Sequence, residues 1–246
     1  MLMDILSWTK LNPKIRIQSV NKRFYSQYYY KLEVHVTGSG FLRHPEHTIE
    51  EQAESRVKFN ELRKVNFGGS WRYNRSNDPT IQDIELLNKV RLAQQKYPNL
   101  RIRVEEPTFQ IYAETEEDLY KFAVDISYRD NQHILSINHP LSNQHLELLK
   151  QGYTISSKPA DFPIKVHVRE GRYNLQTKSQ ILAYLQNMPE EVKLPKNFVD
   201  SFSKEYESVW NCYFYIKDRS ILTMVALISP SLVRATEEYH LSPKDK

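Results

Sequence analysis

The chain has 246 residues, a mass of 29.2 kDa and a formal net charge of +4. With 40% hydrophobic residues, 16 Tyr, 10 Phe and 3 Trp it has enough apolar surface to bury a core, which excludes a disordered chain. No run reaches the roughly 20 apolar residues of a membrane span, MLMDILSW is too short and too acidic for a signal peptide, and a lone cysteine, Cys212, excludes an internal disulfide or Cys-rich zinc site; an intracellular (cytoplasmic) protein without membrane attachment is expected.

In chain order, residues 14–20 alternate, Ile15 and Ile17 against Arg16 and Gln18, as a half-buried strand does. A second strand over 29–36 sets Leu32, Val34 and Val36 against Lys31, Glu33 and His35. The two are expected to form a hairpin whose connection holds Asn21, Lys22 and Arg23. Thr37-Gly38-Ser39-Gly40 then makes a turn. Thr48 with Glu51 is a capping box for a helix carrying Ile49, Ala53 and Val57. After Gly68-Gly69, Asp78-Pro79 reads as the N-cap and first residue of a second helix, with Ile81, Ile84, Leu87 and Val90 on one face until Pro98.

From Leu100 a strand running into a capped helix recurs three times. The first unit has Leu100, Ile102 and Val104, then Phe109 and Ile111, then Thr115 with Asp118 capping Leu119, Phe122, Ala123 and Ile126. The second has Ile164, Val166 and Val168, then Thr177 with Gln180 capping Ile181, Leu182 and Leu185. The third has Cys212, Phe214 and Ile216, with Trp210 expected to share their burial, then Asp218 capping Ile221, Leu222, Val225 and Ile228; Ser229-Pro230 opens a further helical turn towards Tyr239. A short strand at 133–137 and a helix at 142–151, stopped by Gly152, lie between the first two units, and the loop at 189–195 is bracketed by Pro189 and Pro195. The pattern predicts an α+β (or α/β) fold: a layered sheet with helices, an N-terminal β-hairpin, two helices and three strand-to-helix units. The domain reading is a basic hairpin-plus-helix region over 1–77 and an α/β region over 78–246, or one continuous domain. Identity among the units is too low for a sequence repeat.

Charge is asymmetric. Thirteen Lys and Arg stand against seven acids through Arg75, and twenty-one against twenty-three after it. No acid lies between Asp4 and Glu33, where Lys22 and Arg23 neighbour Phe24, Tyr25 and Tyr28, nor between Arg63 and Asn77, which hold Trp71, Arg72 and Arg75. Cations that meet phosphates and rings that stack on bases are the ingredients of a single-strand surface. Lys22, Arg23, Tyr25, Tyr28, Trp71, Arg72 and Arg75 are therefore the candidate nucleic-acid-binding residues; the rival reading makes them solvated faces.

Catalytic motifs are missing. There is no P-loop, dinucleotide fingerprint or Gly-x-Ser-x-Gly elbow, and with six glycines a Gly-lined nucleotide pocket is not expected. His44 and His47 near Glu50 and Glu51 sit in an irregular lead-in rather than on one helix face, so no metal is assigned. Asp161 with Glu191-Val192-Lys193 can be forced into a nuclease pattern, but Glu191 and Lys193 fall in the Pro-bracketed loop, and Glu105-Glu106 suits cross-strand ion pairs with Arg101 and Arg103. Cys212 is expected to be buried and inert. The reading that results is a non-enzymatic binding or assembly protein without cofactor, part of a larger complex, that contacts nucleic acid or another acidic partner and also binds protein partners or itself. The alternatives are a structural subunit of a particle, such as a bacteriophage's, and a metal-dependent nuclease.

Overall fold

The structure is a computed structural model that describes residues 5–66, 78–128, 131–205 and 208–242. It divides into two compact units, Met1–Asn143 and Gln144–Lys246, each with its own sheet and core.

In the first unit the elements are α1 (Ile5–Leu11), β1 (Arg16–Ser19), β2 (Tyr30–His35), a 3-10 turn (Ser39–Arg43), α2 (Ile49–Asn66), α3 (Ile81–Lys96), β3 (Arg101–Glu105), β4 (Thr108–Ala113), α4 (Glu116–Asp125) and β5 (Ile134–His139). The strand order is β1-β5-β2-β4-β3, with β1 parallel to β5 and all other pairs antiparallel. α5 (Asn143–Lys150) leads into the second unit: β6 (Thr154–Ser156), β7 (Ile164–Val168), α6 (Leu175–Gln186), β8 (Val192–Lys193), α7 (Lys196–Ser203), β9 (Tyr213–Ile216), α8 (Ile221–Ile228) and β10 (Val233–Leu241). Its order is β6-β10-β7-β9-β8, with β6 parallel to β10 and the rest antiparallel.

The two sheets share one topology. Counted within its unit, each reads first, fifth, second, fourth, third, with the same strand directions. In the first unit strands two to five with their crossover helices follow a βαββαβ order, while in the second α7 stands between the third and fourth strands; in both, the first strand adds an edge beside the fifth. Helices cover one face of each sheet. In the first unit Trp8 of α1, Ile49 of α2, Leu87 of α3 and Phe122 of α4 pack on Leu32, Val34, Phe109 and Ile111. In the second, Ile181 and Leu185 of α6, Phe198 and Phe202 of α7 and Val225 of α8 pack on Val166, Phe214 and Ile216. Side chains alternate across a strand, so the intervening residues of each sheet form a face outside its core.

The expected α+β layered architecture is present, including all three strand-to-helix units. The hairpin is not. β5 lies between β1 and β2, because it is buried at five of six positions and needs a neighbour on each side, whereas β1 is exposed at three of four and makes an edge. Strands from both sides of residue 77 share this sheet, and the chain divides between residues 143 and 144.

Helix starts are corrected in three places. α3 is capped by Thr80, whose hydroxyl accepts from the Asp83 N–H in a full capping box, while Asp78 accepts from the Asn60 amide instead. α6 is capped by Asn174, leaving Thr177 as the donor to its side chain, and α8 begins after Ser220, with Asp218 accepting from the Ser220 N–H. The Thr48–Glu51 box and the Thr115 cap are as expected. The segment after Ser229-Pro230 is the strand β10, not helix: Ser229 to Leu232 closes a turn, and the chain runs on extended beside β7. The Pro-bracketed loop contains the edge strand β8. Trp210 is 66% exposed although Cys212 is buried, because Asn211 has a φ of 45° and breaks the alternation between them. No helix among the described residues is long and apolar enough to cross a membrane.

Candidate functional site

The face of the first sheet opposite its core is built from rows of residues in register, buried at Ser136, Asn138 and Tyr112 and exposed or half-buried at the other positions. One row crosses all five strands as Gln18, Asn138, Lys31, Tyr112 and Arg101. The next runs Arg16, Ser136, Glu33, Gln110 and Arg103. With neighbouring strands about 4.8 Å apart, a row spans about 19 Å. Both rows are polar, and the first places the Tyr112 ring between two cations.

The connection between β1 and β2 folds over this face. Phe24 and Tyr28 are bridged by backbone hydrogen bonds, and the turn between them holds Tyr25 at φ 52° and Ser26 at φ 61°. Left-handed backbone at two non-glycine residues costs about 1–3 kcal/mol each and persists only where packing fixes it. Here the rings do so: Tyr112 meets Tyr25 edge-on at 5.0 Å, Phe24 at 5.3 Å and Tyr28 at 6.3 Å between centroids. The Arg101 guanidinium stacks 3.7 Å from the Tyr25 centroid, Arg103 donates to the Tyr25 hydroxyl at 3.4 Å, and the Lys31 ammonium lies 5.5 Å from the Phe24 centroid. Burial, with Tyr25 next in weight, pushes the Tyr112 phenol up to about 12, so it stays neutral near pH 7. Arg16 pairs with Glu33 at 3.8 Å and Arg103 with Glu105 at 2.6 Å.

Of the residues expected here, Lys22 and Tyr25 are exposed and Arg23 is half-buried in the same connection, whereas Tyr28 is buried to 8% exposure and packs near Tyr112 rather than presenting its ring. Trp71, Arg72 and Arg75 lie outside the described residues. Sequence reasoning misses Arg16, Lys31, Arg101, Arg103 and Tyr112 as members of this surface. Alternation puts each on the side of its strand away from the core, but only strand register brings them into rows.

Other candidate chemistry is engaged structurally. Glu106 pairs with Arg56 at 2.5 Å, and a Cβ on Gly40 would stand 2.7 Å from the Glu106 carboxylate, so the Gly38–Gly40 turn packs against a side chain instead of cradling phosphate. His44 and His47 line an open groove of about 610 Å³, where Arg91 and Gln52 donate to the carbonyls of Phe41, His44 and His47. Among the described residues no group of three or more His, Cys, Asp or Glu could hold a metal. Cys212 is 2% exposed, its thiol 3.8 Å from the Asn197 carbonyl. Lys178 is fully buried and donates to the Ser201 and Lys204 carbonyls, closing the end of α7.

No family model, curated protein or solved structure matches this chain.

Proposed function

We propose that this chain is a non-enzymatic binding subunit that holds single-stranded nucleic acid on the β3 side of its first sheet and on the β1–β2 connection that folds over it. Lys31 and Arg101 in register on either side of the buried Tyr112, with the exposed Tyr25 ring stacked on Arg101, carry the reading. Bases stack on aromatic rings and on guanidinium planes, and ammonium and guanidinium groups take up the phosphates between them. Arg16, Lys22, Arg23, Lys31, Arg101 and Arg103 supply cations around the rows, against Glu33 and Glu105 on the same face. A base pair would hide the faces that the rings need, so single strands are favoured over duplex. Membership of a larger complex is supported by α8, where Leu227 is 75% and Met224 46% exposed on a helix without a charged residue.

Fluorescence anisotropy with labelled single-stranded and duplex oligonucleotides at low salt tests this. Single strands are expected to bind more tightly, and Arg101→Gln with Tyr25→Ala to weaken them. Absence of binding to either form overturns the proposal.

A further inference from the structure

The second unit repeats the arrangement at matching strand positions. In the first sheet the second strand pairs Leu32 with Ile111 of the fourth; in the second sheet Val166 pairs with Phe214 in the same place. One step along the sheet, Lys31–Tyr112 in the first unit corresponds to Lys165–Tyr215 in the second, and Arg101–Tyr112 to Lys193–Tyr215. The row reads Glu237, Lys165, Tyr215, Lys193, again a tyrosine between two cations. No sequence similarity signals this; the match is in register and topology.

The second face has further rings. Tyr213 pairs with His167 in the adjacent row, meets Tyr215 edge-on at 5.5 Å and carries the Lys165 ammonium 4.1 Å from its centroid. The carboxylate in the row is engaged: His167 Nε2 lies 3.4 Å from Glu237, and the Tyr239 hydroxyl donates to it at 3.4 Å. α6, α7 and α8 all pack on the opposite face through Val166, Phe214 and Ile216, and Tyr213, Tyr215, Lys165 and His167 stay partly exposed. The cover also differs. Tyr112 is 3% exposed beneath Phe24, Tyr25 and Tyr28, whereas Tyr215 is more accessible to a stacking partner.

We infer that the Lys165–Tyr215–Lys193 face is a second binding site for single-stranded nucleic acid, so that one chain holds two segments. The inference rests on the reading of the first face, whose pattern it shares. Its ligand class follows from complementarity: two ammonium groups flank a ring at strand spacing, suited to a stacked base with a phosphate on either side.

The test is the number of short oligothymidylates, about 8 nucleotides long, bound per full-length chain by native mass spectrometry. It compares the wild type with Lys165→Gln/Lys193→Gln and with Arg101→Gln/Lys31→Gln. Both pairs are surface charges, and circular dichroism establishes that each variant is folded. Two oligonucleotides are expected on the wild type and one on each variant. Photocrosslinking of wild type to a bromodeoxyuridine oligonucleotide is expected to mark the peptide holding Tyr213 and Tyr215. A single oligonucleotide lost only in the Lys165/Lys193 variant upholds this site while removing the first. A single one lost only in the Arg101/Lys31 variant overturns this site and leaves the first, and no binding overturns both. Two oligonucleotides retained by the Lys165/Lys193 variant, without crosslinks on β9, also overturn it.

Discussion

Arg101 on β3 stacks on Tyr25 of the β1–β2 connection, 3.7 Å from guanidinium carbon to ring centroid, and so ties a strained turn to the edge of the sheet. An exposed cation–π pair contributes about 0.5–1 kcal/mol. A double-mutant cycle of Tyr25→Ala and Arg101→Gln, read by urea unfolding, should return a coupling of that size. Additive effects would show that the two merely coexist.

Removing Lys22, Arg23 and Arg101 together as glutamines should weaken single-strand binding uniformly across sequences and flatten its salt dependence. Each phosphate left without its cation lowers the slope of log K against log salt by about 0.7, so the triple variant should lose about 2 if all three cations neutralise a phosphate. An unchanged slope places the phosphates elsewhere.

Helix caps give a sharper test of the second unit. Asn174→Ala should cost about 1 kcal/mol of stability, because it strips the acceptor from the Thr177 N–H. Thr177→Ala, which leaves that backbone bond in place, should cost clearly less. Equal losses in thermal unfolding would contradict the assigned start of α6.

What can be read from sequence follows the range of the interaction. Thr48 with Glu51 and Thr115 with Asp118 are local partners, and both caps stand where alternation and spacing put them. Asn174 and Thr177 both suit a cap, and the choice depends on where the chain leaves β7. Lys31 reads as lying opposite Leu32 and Val34, yet its adjacency to Tyr112 belongs to strand register between segments far apart in the chain. The shared topology is invisible in the sequence for the same reason: it is carried by which strands are neighbours, while Leu32 and Val166, or Ile111 and Phe214, need only be apolar.

Burial holds the His139 imidazole below the ordinary histidine range, with Glu116 opposing that shift. The unfolded chain then binds a proton that the folded chain refuses, so this group's contribution is intact above about pH 6.5 and is lost as pH falls from there through the lower value of the folded chain. Chemical denaturation between pH 7.5 and 5.5 should show stability falling with pH, and His139→Gln should flatten that slope. An equal slope in the variant would assign the pH dependence to other groups.

Cys212 should resist a thiol reagent in the native protein and react fully in denaturant, since its sulfur is enclosed with Phe198 and Phe214 in the second core. Rapid native labelling would mean that the sheet opens at β9.

The placement of β5 and β10 has a consequence for synthesis. Each is the last strand of its unit to be translated, yet each lies between two strands made earlier. Until it emerges from the ribosome, the first strand of that unit has no neighbour to pair with, and the second strand has one unpaired edge. Closure waits on contacts between distant parts of the chain, a slow step that leaves strand edges open. Nascent chains halted just before β5 or β10 should therefore be sensitive to protease, and those released just after should gain resistance one unit at a time.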